Sequence, residues 1–143
     1  MKLNRIAITV PSNNEEFIGV DWGSARVGLA RGSLLARLAE PLKTVPADQA
    51  LAEIEGLVPV NQAVGIVVGL PRSLQGQETA QTKAVRQWVD NAKSQIKLPF
   101  YWQDEALTSS AAASRQAKDI DAAAAAAILQ DFLDTPEAER VRC

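Results

Sequence analysis

The apolar run Phe17-Ile-Gly-Val-Asp21 stops at Gly23 and Ser24, the pattern of a short strand entering a tight turn. Arg26 to Gly32 follows so closely that the two strands predict a hairpin. Leu34 to Val45 reads as a third strand with irregular edges. Ala63 to Leu70 (AVGIVVGL) is a continuous β-branched run, the kind buried on both faces of a parallel sheet. Pro99 to Asp104 is a fifth strand. Between them, Pro46 to Leu57 places Ala50, Leu51, Ile54 and Leu57 at helical spacing, with Pro46 in the first turn. Glu78 to Lys97 carries the stripe Ala84/Val85, Trp88/Val89, Ala92 and Ile96. Ala106 to Lys118 and Ala122 to Leu133 read as two further helices. Three strands, helix, strand, helix, strand and helices make an α/β chain, a mixed sheet covered by helices. Residues 1–16 form an extension, with Arg5 to Val10 as a candidate edge strand and Pro11 to Glu16 as a loop. Residues 17–134 form the domain, and 135–143 a charged, frayed tail.

Composition narrows the chemistry more than the architecture. A chain of 143 residues fits one domain, and 47% hydrophobic with 22% charged residues is ordinary for a globular protein. It contains no histidine, so Ser-His-Asp and Cys-His catalysis and imidazole zinc sites are excluded. Cys143 is its one cysteine, which excludes a disulfide framework and a four-cysteine metal site. Any metal must therefore be held by oxygen, which points to magnesium or manganese. A net charge of −2 and a pI near 5.2 argue against a general nucleic-acid coat protein and leave room for a local basic patch. The opening MKLNRIAITV is too short an apolar run for a signal peptide, and nothing approaches the roughly 20 apolar residues of a membrane helix. The expectation is a cytoplasmic protein with no membrane partner.

Three acidic positions fall at the ends of elements. Asp21 closes the first strand just before Gly23, whose missing side chain would admit a phosphate or metal; equally, Asp21 starts a hairpin turn. Asp104 and Glu105 close the fifth strand, where alternation puts Glu105 on the face of Tyr101 and Gln103. Either acid could instead cap the following helix. Asp121 aligns with Ala125, Ile128, Leu129 and Phe132, on the apolar stripe that must face the sheet. A carboxylate there is costly without a compensating cation, although the helix N-terminus offsets part of the cost. Capping by Asp119 or Asp121 is the competing reading. The alanines Ala122 to Ala127 let this helix lie close to the sheet.

Were Asp21, Glu105 and Asp121 to converge, their mutual repulsion would favour divalent cations. Two metals roughly 4 Å apart can activate a water and stabilise the leaving oxygen of a phosphodiester. The loop from Gly69 to Gly76 follows the buried strand at its carboxyl end, where α/β sheets bind ligands, and its Arg72 and Ser73 could contact phosphate. It lacks the lysine pattern of a nucleotide P-loop. Arg26, Arg31, Arg115 and Lys118 are further phosphate candidates, with a solvated surface role as the ordinary alternative.

The segments IGVDWGSARVGLA, IVVGLPRSLQGQE, WQDEALTSS and DAAAAAAILQDFLD, in this order, resemble the YqgF/RuvX family. Its RNase H-like members are described as Holliday junction resolvases or pre-16S rRNA nucleases. The resemblance runs from Phe17 to Asp134. It implies an RNase H-like fold, a mixed five-stranded sheet flanked by helices. It also implies a divalent-metal nuclease site, with Mg²⁺ or Mn²⁺ as two ions on Asp21, Glu105 and Asp121. Gly23, Arg26, Arg72, Ser73, Arg115 and Lys118 would then meet the substrate. The implied role is cytoplasmic maturation of the 16S rRNA 5′ end, on structured RNA, with branched DNA as a further substrate, by a monomer or homodimer. Two departures stand out. Ala106 takes the place of an arginine usual after the Asp-Glu pair, and the stretch from Glu105 to Asp121 lacks a glycine- and lysine-rich loop. Both remove positive charge from beside the site, where phosphate binding needs it. A binding module without turnover is therefore the alternative, and a small actin-like nucleotide-binding domain a third.

Overall fold

Alternation along β1 (Glu16–Trp22) sends Ile18 and Val20 to one side of a sheet, and Phe17 and Gly19 to the other. The computed structural model describes residues 15–71, 77–104 and 119–143. After β1 come β2 (Arg26–Ser33), β3 (Leu38–Pro46) and a 3₁₀ turn at Ala47–Gln49. Then follow α1 (Ala50–Asn61), β4 (Ala63–Leu70), α2 (Ala80–Gln95) and β5 (Phe100–Asp104). The described chain ends with α3 (Ile120–Leu133), a 3₁₀ turn at Glu137–Glu139 and β6 (Val141–Arg142).

The strands form one mixed sheet in the order β3-β2-β1-β4-β5-β6. The β1–β2 and β2–β3 pairs are antiparallel, β4 lies parallel to both β1 and β5, and β6 returns antiparallel to β5. The β-branched run of β4 thus takes the buried central position that its composition predicts. One face carries the larger core, where Ile18, Leu29, Ile66 and Val68 meet Ile54 of α1 and Val85 and Val89 of α2. On the other face α3 packs alone among the described helices, with Ile128, Leu129 and Phe132 against Phe17, Ala30 and Val67.

The approach of α3 is close because both partners are small at the contact. A Cβ on Gly19 would fall 2.8 Å from Leu129 Cβ and 3.0 Å from the Ala125 carbonyl oxygen. Gly28 is tighter still: its Cβ would stand 1.8 Å from the carbonyl oxygen of Asp121. The alanine run of α3 supplies the matching small surface on the helix.

Several expectations need correction. The sheet has six strands, since the tail expected to fray contributes β6, pairing Tyr101 with Arg142 and Trp102 with Val141. Two exposed residues show no periodicity that could announce a strand. Leu34 to Arg37 form a turn, with Arg37 at φ 55°, so β3 starts only at Leu38. Pro46 ends β3 instead of opening the helix. The second helix is bounded by Thr79, whose side chain accepts a bond from Thr82 N while Thr82 Oγ1 accepts from Thr79 N, so it begins two residues later than expected. It also ends earlier, at Gln95. The strand at Arg5 to Val10 and the helix at Ala106 to Lys118 lie outside the described residues.

Candidate metal-binding edge at the carboxyl ends of the strands

The parallel strands β1, β4 and β5 end along one edge of the sheet, and the candidate acids were expected there. Asp21 pairs with Gly28 across the β1–β2 hairpin. Residues directly opposite in an antiparallel pair project to the same face. The face of Gly28 is the one that Asp121 covers, so Asp21 and Asp121 share the α3 side of the sheet. Two residues expected to act together, 100 positions apart in sequence, are therefore brought over one cross-strand pair.

The turn that joins β1 to β2 runs through Gly23, Ser24 and Ala25. Gly23 lies against backbone: a Cβ there would meet the Arg26 carbonyl oxygen at 2.9 Å. What crowds Gly23 is thus the hairpin itself. Arg26 opens β2 with an exposed side chain, and its Nε donates to Asp121 Oδ2 at 2.9 Å. This hydrogen bond, with the charge attraction behind it, pushes the Arg26 guanidinium above its already high value. It also bears on the capping question left open by the sequence. Asp119 occupies the N-cap position of α3 without a side-chain capping bond, and Asp121 sits in the first turn with its carboxylate on Arg26. The Asp121 side chain is only a quarter exposed.

On β5, Tyr101 stacks edge-on with Phe17 and tilts against Phe132, so its face is that of α3. Gln103 follows on the same face by alternation, paired with Gly69 at the end of β4. Asp104 is exposed and pairs with Leu70. Glu105, Arg72, Ser73, Arg115 and Lys118 lie outside the described residues. The structure thus brings Asp21, Gly23, Arg26 and Asp121 to one edge. Among the described residues no three acids or thiols gather closely enough to hold an ion.

Two features escaped the reading of the sequence. Gly28 is the seat of Asp121, a role whose only trace in the sequence is a glycine two places after Arg26. The Arg26–Asp121 pair had no local signal, since 95 residues separate the partners. Along the same edge a cleft of about 590 Å³ is lined by Leu70, Arg86, Trp102, Gln103, Asp104 and Arg142, among others. There the Arg86 guanidinium lies over the Trp102 ring at 5.3 Å. Both signs of charge line this cleft, which therefore has no net preference for phosphate.

The residues present fit a hard divalent cation. With no histidine in the chain, the edge offers oxygen ligands, and a cationic guanidinium already rests on the Asp121 carboxylate. No helix among the described residues is long and apolar enough to cross a membrane.

Comparison with known proteins gives the family. The family model described as RuvX, Holliday junction resolvase, matches residues 15–135. A protein of Chloroflexus aggregans named "Putative pre-16S rRNA nuclease" is 36% identical over 135 positions, covering 85% of this chain and 95% of its own. A protein of Ralstonia pickettii with the same name is 37% identical over 122 positions, covering 82% and 85%. Among solved structures, Thermus thermophilus RuvC in complex with a Holliday junction substrate superposes with a TM-score of 0.57 at 14% identity. That match covers 90% of this chain and 99% of the other, and it shows an RNase H-like fold in common. The chain belongs to the RuvX family of Holliday junction resolvases, and it is a nuclease.

Proposed function

We propose that the protein is a cytoplasmic, divalent-metal-dependent nuclease that hydrolyses phosphodiester bonds of structured RNA during maturation of the 16S rRNA 5′ end. Branched DNA is its second substrate class. The observation that carries this reading is the placement of Asp21 and Asp121 on one face over Gly28, with a cation resting on Asp121. The names of the relatives and the junction held by the RuvC neighbour support the substrate classes.

Asp21, Glu105 and Asp121 would hold Mg²⁺ or Mn²⁺, as two ions, which when bound supply an activated water and charge stabilisation for the leaving oxygen. The chain's own residues do the rest. Asp21 and Asp121 present carboxylate oxygens from a strand end and a helix start, two rigid elements whose separation the sheet sets. Arg26, at the rim, offers a guanidinium suited to phosphate. Gly23 keeps the turn low beside it. Arg72, Ser73, Arg115 and Lys118 belong in this proposal as substrate contacts.

Binding without turnover is the second reading, favoured by Ala106 and by the short stretch between Glu105 and Asp121, both of which lower the positive charge near the site. One experiment separates the two. A labelled precursor-16S fragment and a four-way DNA junction are incubated with wild type and Asp21→Asn, in Mn²⁺ or EDTA. Metal-dependent cutting lost in the variant establishes the nuclease, and the preferred substrate decides between RNA and DNA. Binding of either substrate with no cutting establishes the module.

A further inference from the structure

The ion pair at the candidate site has features that an ordinary surface pair lacks. Arg31 with Glu40 and Lys43 with Glu53 join residues nine and ten apart, within one local region of chain. Arg26 with Asp121 spans 95 residues and ties the first hairpin to α3. Yet α3 does not need it for placement. Gly19 and Gly28 already receive the helix backbone, and Ile128, Leu129 and Phe132 anchor it in the core. Exposed pairs add little to stability, and Arg26 is two-thirds exposed.

What the pair does is electrostatic. Asp121 sits three-quarters buried on the same face as Asp21. A carboxylate buried to this degree is costly without a compensating cation. Arginine suits that task at every pH of interest, since it does not give up its proton. The bond to Asp121 uses Nε; among the described residues neither terminal nitrogen of Arg26 has a hydrogen bond. The bond to Asp121 does not use the two-pronged end of the guanidinium, the part that grips phosphate in a planar fork.

We infer that Arg26 is a resident stand-in for the metal, holding the Asp121 carboxylate until a divalent cation takes its place and then turning to a phosphate of the substrate. This inference rests on the metal-dependent reading above. Arg26 and the cation would compete for the same Asp121 carboxylate. Loss of the arginine must then strengthen metal binding while weakening the grip on substrate. A purely structural role predicts the opposite sign, since damage to a site lowers its affinity for metal.

The test is titration of the full chain with Mn²⁺ at low ionic strength, followed by calorimetry, for wild type, Arg26→Gln, Arg26→Lys and Asp121→Asn. Arg26→Gln is expected to bind Mn²⁺ roughly two- to five-fold more tightly, the range that an exposed ion pair supports. Adding Asp121→Asn to Arg26→Gln should erase the gain. Arg26→Lys, which keeps the charge, should stay near wild type in Mn²⁺ affinity and bind substrate less well. Equal or weaker Mn²⁺ binding by Arg26→Gln, with wild-type binding still dependent on Asp121, overturns the stand-in and leaves the metal site intact. If neither wild type nor Arg26→Gln binds Mn²⁺, the metal reading fails and the inference with it. Arg26 is exposed, so its variants should fold; matching far-ultraviolet circular dichroism checks this.

Discussion

The backbone of Asp121 rests on Gly28, so closely that a methyl group at position 28 would fall 1.8 Å from the Asp121 carbonyl oxygen. Nothing at that distance can be relieved by rotating a side chain, because the obstacles, the Asp121 carbonyl and Ala122 N, are all backbone. Gly28→Ala is expected to push the start of α3 away from the sheet, at a cost of about 1–3 kcal/mol, the usual scale of overpacking. It should also reduce metal-dependent cleavage by more than the lost folded population explains. Gly56→Ala is the matched control. Its Cβ would meet nothing within 4 Å, and it replaces a helical glycine, so stability should rise by roughly 0.5–1 kcal/mol. Urea unfolding of both variants, with cleavage assayed under folding conditions, reads the contrast.

Thr82 is fully buried, and its hydroxyl serves two backbone partners. It donates to the Pro71 carbonyl at 2.5 Å and accepts from Thr79 N at 2.9 Å. It thereby fastens the start of α2 to the end of β4. Thr82→Val keeps the shape and strands both partners, so the expected loss is about 1–3 kcal/mol. Thr82→Ser, which retains the hydroxyl, should recover part of it. Chemical denaturation of the two side by side measures the share that belongs to hydrogen bonding.

Burial raises the Asp131 carboxyl above its usual value of 3.8, with the nearby Asp134 adding to the shift. The folded state therefore prefers the protonated acid. The stability this group contributes is fully present below the unfolded value and is lost as pH rises through the folded one. At pH 7 the charged form is a burden, and Asp131→Asn should stabilise slightly, by no more than about 0.5 kcal/mol for a half-buried position still in reach of solvent. At pH 3 the difference should vanish. Melting curves at the two pH values would refute this if the variant gained at low pH instead.

The Cys143 thiol is pushed up to about 12 from 9.0, mainly by burial, with Lys93, Arg86 and Arg142 pulling the other way. The folded protein therefore holds far less thiolate near pH 8 than the unfolded chain does. Alkylation by iodoacetamide should be correspondingly slow in the folded protein and fast in urea. Equal rates in the two conditions would mean that the β6 segment does not hold its place beside β5.

Where local pattern and final environment agree, the chain was readable in advance. The run of β4 is apolar because both of its faces are covered, and the stripe of α2 marks its single buried side. The small residues of α3 correctly announced a close approach. What could not be read depended on partners far along the chain. Gly28 matters because of Asp121, and β6 exists because β5 offers it a free edge; neither fact leaves a mark within ten residues. Pro46 was misassigned for a related reason. Its fixed φ suits a strand end and a helix start equally, and the neighbouring β2 decides through the Arg26–Pro46 pairing. Asp21 and Asp121 were legible at the ends of their elements, while the pairing of Arg26 with Asp121 was not.

The 95-residue span between Arg26 and Asp121 also sets an order of events during synthesis. At roughly 5–20 residues per second, the hairpin bearing Asp21 leads Asp121 by about 5 to 20 seconds. Throughout that interval the nascent chain displays one half of the site and none of the other. The topology therefore leaves the Asp21–Asp121 edge incomplete until α3 has been made.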